Sequence, residues 1–300
     1  MKNIYYLQPS SFCFGVQKSI DELEKIIKNN SKKKIYCIHE LVHNPRITNH
    51  LKNLWVNFVQ SIYDVHDQNA IIIFSAHGTN RSLISQTEKK FKHVYNLECP
   101  FVTKVYKEVD TYIKNWVTTF FYIGKHNHQE GKNIIDYIFS KDVNIYVFDN
   151  KKNIPKIDKS EKIGILSQTT LNYQETKKLF DVIKSMYPDA IFPEPSDICK
   201  ATFERQEVIL QNIDKFETLI IIGWKESNNG KELYRLWIKY KKKTFYGESL
   251  ADILQYPKKE LFSNERVAIT WWASTPMEDI REVFDYYKKN GYQPNILDLN

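Results

Sequence analysis

Nine apolar runs of strand length constrain this chain most, because they fall into three kinds that each occur three times. The first kind leads into a cysteine: IYYLQPSSFC (Ile4–Cys13), VYNLEC (Val94–Cys99) and AIFPEPSDIC (Ala190–Cys199). The second ends in a polar turn: IYCIHELVHN (Ile35–Asn44), FFYIGKHNHQE (Phe120–Glu130) and LIIIGWKESNN (Leu219–Asn229). The third ends in small polar groups: IIIFSAHG (Ile71–Gly78), IGILSQTT (Ile163–Thr170) and VAITWWAST (Val267–Thr275). From position 13 to 99 and from 99 to 199 the cysteines are 86 and 100 residues apart, so the repeat has the size of a small domain, not of a solenoid unit.

Helical patterns separate the runs. VQKSIDELEKIIKN puts Val16, Ile20, Leu23, Ile26 and Ile27 on one face. NYQETKKLFDVIKSMYP behaves alike and stops at Pro188. TPMEDIREVFDYYKKNGY has Pro276 for its first turn and Gly291 for its end. Strands alternating with helices predict an α/β fold of three small parallel-sheet domains, 14–98, 99–198 and 199–300. The segment 1–13, which carries the first cysteine, is expected to pack centrally. In parallel sheets ligands lie beyond the carboxyl ends of the strands, where every polar group above is found. The stretch 148–162 reads as a surface loop inside the second domain.

Composition excludes several classes. At 42% hydrophobic residues with only 9 Gly and 10 Pro, the chain is neither disordered nor of low complexity. Its net charge of +7 comes largely from lysine runs such as 32–34 and 241–243. Without interleaved aromatics these read as a solvated surface, not a nucleic-acid interface, and they suit a small anionic substrate. MKNIYYLQPSSF lacks the apolar core of a signal peptide, and no run is long enough to span a bilayer, so a soluble cytoplasmic protein is expected. There, four scattered cysteines read as ligands, catalytic groups or core residues, not disulfides.

Cys37, inside the apolar run KIYCIH, reads as a core residue. Cys13, Cys99 and Cys199 occupy matched positions, each before a helix-like segment whose N-terminus favours a thiolate. Pro100 fits a first helical position, where its missing N–H costs nothing. Three thiolates at one centre can hold a metal or a cluster and leave one position open. His43, Asn44, His77, Ser227, Asn228, Asn229 and Ser274 are neutral or weakly cationic donors suited to an anion. For each Ser and Asn, helix capping is the competing reading. Glu130, in KHNHQEG, can donate or relay protons, and Thr169, in SQTT, can orient a hydroxyl.

These motifs resemble, in order, those of the 4-hydroxy-3-methylbut-2-enyl diphosphate reductases, the LytB/IspH family of the methylerythritol phosphate pathway. The likeness rests on FCFGVQKSI, HELVHN, FSAHG, CPFVTKV, SQTTL, DICKAT followed by RQE, and ASTP, and it runs along nearly the whole chain. It implies three α/β domains in a trefoil-like pseudo-threefold arrangement around a central 4Fe–4S cluster. Cys13, Cys99 and Cys199 would be its ligands, with one iron open. The substrate would be an allylic alcohol diphosphate, its diphosphate held by His43, Asn44, His77, Ser227, Asn228, Asn229 and Ser274. His128 and Thr169 would hold the substrate and Glu130 would feed protons. A ferredoxin or flavodoxin would supply electrons. Neither a nucleic acid nor a membrane is implied. The chain departs from the family pattern at Trp271 and Trp272 in TWWAS, where small residues are usual, and at Asn228 (usually Ser), Gln129 (usually Pro) and Tyr106 (commonly His).

The readings that compete with it are a reductase of another diphosphate, a non-enzymatic iron–sulfur redox or sensor protein, a three-thiolate zinc hydrolase, and a basic nucleic-acid-binding module. The redox protein has no need of the His, Asn and Glu set. Colour and iron content separate zinc from iron, and salt-dependent retention of DNA or RNA marks the last.

Overall fold

The structure, a computed structural model, describes residues 1–9, 12–224, 228–240 and 243–299, with the side chains at 228–230, 232, 236 and 239 left out. Its strands are β1 (Asn3–Leu7), β2 (Ile35–Ile38), β3 (Val56–Val59), β4 (Ile71–Phe74), β5 (His93–Asn96), β6 (Thr119–Ile123), β7 (Asn144–Phe148), β8 (Ile163–Ser167), β9 (Thr218–Ile222), β10 (Lys243–Gly247), β11 (Arg266–Trp271) and β12 (Gln293–Leu297). They form three parallel sheets, ordered β3-β2-β4-β5, β7-β6-β8 and β10-β9-β11-β1-β12.

The sheets share one plan. Each is centred on a strand of the second kind (β2, β6 or β9), flanked by the strand that follows it and by a strand of the third kind (β4, β8 or β11). The place beyond is taken by the cysteine-bearing run. In the first sheet this is β5. In the second it shrinks to a single bridge between Gly164 and Ile191, since Pro193 and Pro195 have no N–H to extend a ladder. In the third it is β1, which lies parallel between β11 and β12, Tyr5 opposite Ala268 and Asn295. The strand of segment 1–13 thus lies inside the third sheet. The reason is burial, since Ile4 packs into one face of that sheet and Leu7 into the other.

Inner strands β4, β6, β8 and β9 are buried at every residue, as parallel strands covered on both faces must be, whereas β5, β7 and β12 at the edges are largely exposed. The helices that carry the argument are α1 (Phe14–Asn29), α2 (Pro45–Asn53), α3 (Arg81–Lys90), α4 (Pro100–Lys114), α5 (Gln129–Phe139), α6 (Tyr173–Met186) and α7 (Lys200–Gln211). In α4, Val102, Val105, Tyr106, Val109 and Tyr112 recur at helical spacing and are all buried. Pro100 holds the first helical position there, with Cys99 as N-cap. The last helix runs from Met277 to Lys289, so Pro276 sits at its N-cap, one residue before the first turn. Among the described residues no helix is long and apolar enough to cross a membrane.

The chain divides into two compact units. One comprises Met1–Phe14, His43–Pro45 and Lys200–Asn300 and carries the five-stranded sheet; the other comprises Gly15–Val42 and Arg46–Cys199 and carries the other two sheets.

Candidate functional site

The three matched cysteines share one backbone environment. The Cys99 N–H donates to the Ala76 carbonyl, that of Cys199 to the Thr169 carbonyl and that of Cys13 to the Ala273 carbonyl, each at 3.0 Å. Every acceptor stands two residues beyond the end of its strand, β4, β8 or β11. Every cysteine immediately precedes a helix, α1, α4 or α7, whose N-terminal dipole favours a thiolate. All three thiols are half-buried, and no disulfide joins the described cysteines. Cys37 differs: it is fully buried on β2, and burial alone pushes its thiol far above the ordinary range. Cys37→Ala is therefore expected to cost roughly 1–2 kcal/mol in denaturant unfolding.

In the unit of Gly15–Val42 and Arg46–Cys199, Cys99 lies against Gly15 on α1. A Cβ at Gly15 would stand 2.5 Å from the Cys99 Sγ, so only glycine leaves the sulfur its space. Glu130, on the first turn of α5, is buried in the same unit. Its Oε1 accepts from the Thr169 N–H and its Oε2 from the Thr169 hydroxyl, both at 2.8 Å. Burial pushes its pKa from 4.5 up to about 7; the two Thr169 hydrogen bonds hold it lower, and the charges of Asp197 and Glu98 add to the rise. Such a group is an acid poised to give a proton near neutrality. His128 is the N-cap of α5, and His77 follows β4 by three residues; both are half-buried.

In the unit of Met1–Phe14, His43–Pro45 and Lys200–Asn300, the Ser274 hydroxyl donates to the His43 carbonyl at 3.0 Å and the Asn44 side-chain amide to the Ser274 carbonyl at 2.8 Å. These three expected anion-binding residues are thus adjacent. Ser227 lies outside the described residues. Asn228 and Asn229 open the helix Asn228–Lys239, but their side chains lie outside the description too. Trp271 and Trp272 lie in the core of this unit. Each is 1% exposed and they face opposite sides of the sheet. Trp271 packs on Tyr6 with ring centroids 4.6 Å apart, and Trp272 stacks on Tyr246 at 5.3 Å. Alternation along β11, continued one residue past its end, sends Trp271 and Trp272 to opposite cores.

Two acids beside the cysteines escaped sequence reasoning. Asp197 is completely buried, accepting from the Ser167 N–H and from Lys104, each at 2.8 Å. Glu98 is buried and accepts from Arg81 at 2.6 Å and from the Thr103 hydroxyl at 2.7 Å. Their nearness to Cys199 and Cys99 was the only signal, and an acid in a polar loop ordinarily reads as solvated. Neither unit by itself gathers three His, Cys, Asp or Glu side chains to metal-binding distance among the described residues. Cys13 belongs to one unit, Cys99 and Cys199 to the other.

The family model described as LytB protein matches residues 4–288. The chain belongs to the LytB family. Curated LytB relatives include one from Wolbachia sp. subsp. Brugia malayi (strain TRS), 31% identical over 289 residues, 96% of this chain and 92% of the relative. Another, from Buchnera aphidicola subsp. Schizaphis graminum (strain Sg), is 33% identical over 296 residues, 97% and 92%. Both are named 4-hydroxy-3-methylbut-2-enyl diphosphate reductase. The solved structure of E-1-hydroxy-2-methyl-but-2-enyl-4-diphosphate reductase from Plasmodium falciparum superposes with a TM-score of 0.90 at 24% identity, covering 99% of this chain and 92% of that one, and bears on the fold alone. A second, of (E)-4-hydroxy-3-methyl-but-2-enyl diphosphate reductase, the terminal enzyme of the non-mevalonate pathway, gives 0.69 at 26% identity, with 96% and 100% covered.

Proposed function

We propose that this chain reductively removes the hydroxyl of (E)-4-hydroxy-3-methylbut-2-enyl diphosphate, giving isopentenyl and dimethylallyl diphosphate in the last step of the non-mevalonate route. The observation that carries the reading is Thr169: its carbonyl holds the Cys199 N–H, while its N–H and hydroxyl hold both oxygens of Glu130. One residue so joins a ligand position to an acid position.

Cys13, Cys99 and Cys199 would hold a 4Fe–4S cluster with one open iron. The matched helix-capping positions and the space that Gly15 leaves at the Cys99 sulfur support that fit. When bound, the cluster supplies electrons and a Lewis-acidic site for the hydroxyl oxygen. Over the whole reaction two electrons and two protons are taken up: one proton leaves with the hydroxyl as water and the other ends on an allylic carbon of the product. Hydroxide is a poor leaving group, so the protonated Glu130 carboxyl gives its proton to the departing oxygen, and Thr169 keeps that carboxyl aimed. His43, His77, Asn44, Ser227, Asn228, Asn229 and Ser274 hold the diphosphate, and His128 with Thr169 steadies the allylic end. Binding energy gathered at the phosphates orients the carbon that reacts. A ferredoxin or flavodoxin provides the electrons, and the cytoplasm keeps the thiols reduced.

Anaerobic reconstitution with iron and sulfide, followed by an assay of hydroxymethylbutenyl diphosphate consumption with a reduced viologen dye, tests the reading. The expected result is a brown protein that turns over. A brown protein that leaves the diphosphate untouched discards the substrate, and a colourless zinc-loaded one discards the cofactor as well.

A further inference from the structure

Asn133 and Tyr106 meet on one short loop, the residues that follow His77. The Asn133 side-chain amide, buried on α5, donates to the Gly78 carbonyl at 2.9 Å. The Gln129 side-chain amide, one turn earlier on α5, lies 3.5 Å from the Asn133 Oδ1. The Tyr106 hydroxyl, from α4, donates to the Thr79 carbonyl at 3.3 Å. The Arg81 guanidinium carbon lies 3.8 Å from the Tyr106 ring centroid, and the same guanidinium reaches Glu98. Gly78 has φ +85°, and a Cβ there would meet Val102 at 2.9 Å and Glu98 at 3.0 Å, so the loop lies close against α4.

Two consecutive carbonyls beyond His77 are thus gripped by side chains, one from the helix of Glu130 and one from the helix that Cys99 caps. We propose that Asn133, assisted by Tyr106, is a positioning residue that fixes His77 relative to Glu130, so that one proposed diphosphate ligand and the proton donor are set together within one unit. The inference rests on the assignment of His77 to the diphosphate made above. A buried carbonyl that loses its donor costs desolvation free energy, which the loop recovers by moving away from α5. His77 moves with it.

A double-mutant cycle on the reconstituted protein tests this, read as the affinity for inorganic diphosphate by calorimetry and as KM and kcat with hydroxymethylbutenyl diphosphate. Asn133→Ala is expected to weaken inorganic diphosphate binding roughly fivefold to tenfold in the native background. In a His77→Ala background the same change is expected to cost under about twofold, because the loop no longer carries a ligand to misplace. KM is expected to rise more than kcat falls. Equal fold-changes in both backgrounds, or no binding of inorganic diphosphate by the unsubstituted protein, would overturn the inference. If Asn133→Ala does not fold, Tyr106→Phe, which deletes only the hydroxyl on Thr79, decides by the same cycle. A coupled cycle in a protein that binds inorganic diphosphate but shows no turnover would sink the reductase reading and leave the brace standing.

Discussion

Glu130→Gln is expected to keep the proposed cluster and the substrate affinity while lowering kcat by about two to four orders of magnitude. The replacement is nearly isosteric. Its amide oxygen still accepts from the Thr169 N–H, and its amide nitrogen faces the Thr169 hydroxyl, so the contacts at 2.8 Å that fix the side chain are largely kept. What is lost is the transferable proton. In the native protein that proton is held to about pH 7, because burial disfavours the carboxylate. The rate should therefore fall as pH rises through about 7, and the glutamine variant should lack that limb.

Stability follows the same group. The folded pKa, about 7, lies above the ordinary 4.5. Stability from Glu130 is thus fully present below the ordinary value and is lost as pH rises to the folded one. The shift amounts to roughly 3 kcal/mol across that window, a cost the glutamine variant is spared. Denaturant unfolding at about pH 5 and pH 8, paired with the pH–rate profile, checks both statements. A variant with native turnover would remove Glu130 from the proton path.

Gly15→Ala is expected to impair cluster loading, with iron per chain falling by more than half and turnover at least about a hundredfold lower, while helical content is retained. Two effects oppose each other here. In an ordinary helix interior the change gains roughly 1 kcal/mol, since alanine loses less backbone entropy than glycine. At Gly15 the new methyl would stand 2.5 Å from the Cys99 sulfur and 3.3 Å from its Cβ. Cys99 has little room to yield: its N–H is tied to the Ala76 carbonyl, and Pro100 fixes the next residue at the start of α4. The methyl therefore displaces a proposed ligand sulfur without unfolding the helix that bears it. Iron and sulfide analysis with far-ultraviolet circular dichroism separates the two effects. Native iron content in the alanine variant would show that the sulfur has space to move.

Much of the molecule was legible in the chain itself. Period-two and period-3.6 patterns are local, so the strands and the main helices could be placed from their own residues, and unbroken apolar runs such as TFFYI and TLIII announced parallel strands buried on both faces. The matched cysteines were legible because a strand, a thiol and a helix start are consecutive in sequence. Glu130 and Thr169 could each be named, yet 39 residues separate them, and only folding makes Thr169 the donor of both hydrogen bonds to the acid.

Tertiary structure alone decided the rest. It put β1 between two strands more than 250 residues away in sequence, because Ile4 and Leu7 must both be covered. It turned Trp271 and Trp272 into core on opposite faces of one sheet, and made buried partners of Glu98 and Asp197. Local pattern sets what kind of element a segment forms and which face is apolar. Which distant group meets that face, and whether a polar residue there finds a partner, depends on burial and hydrogen bonding between segments that the sequence holds far apart.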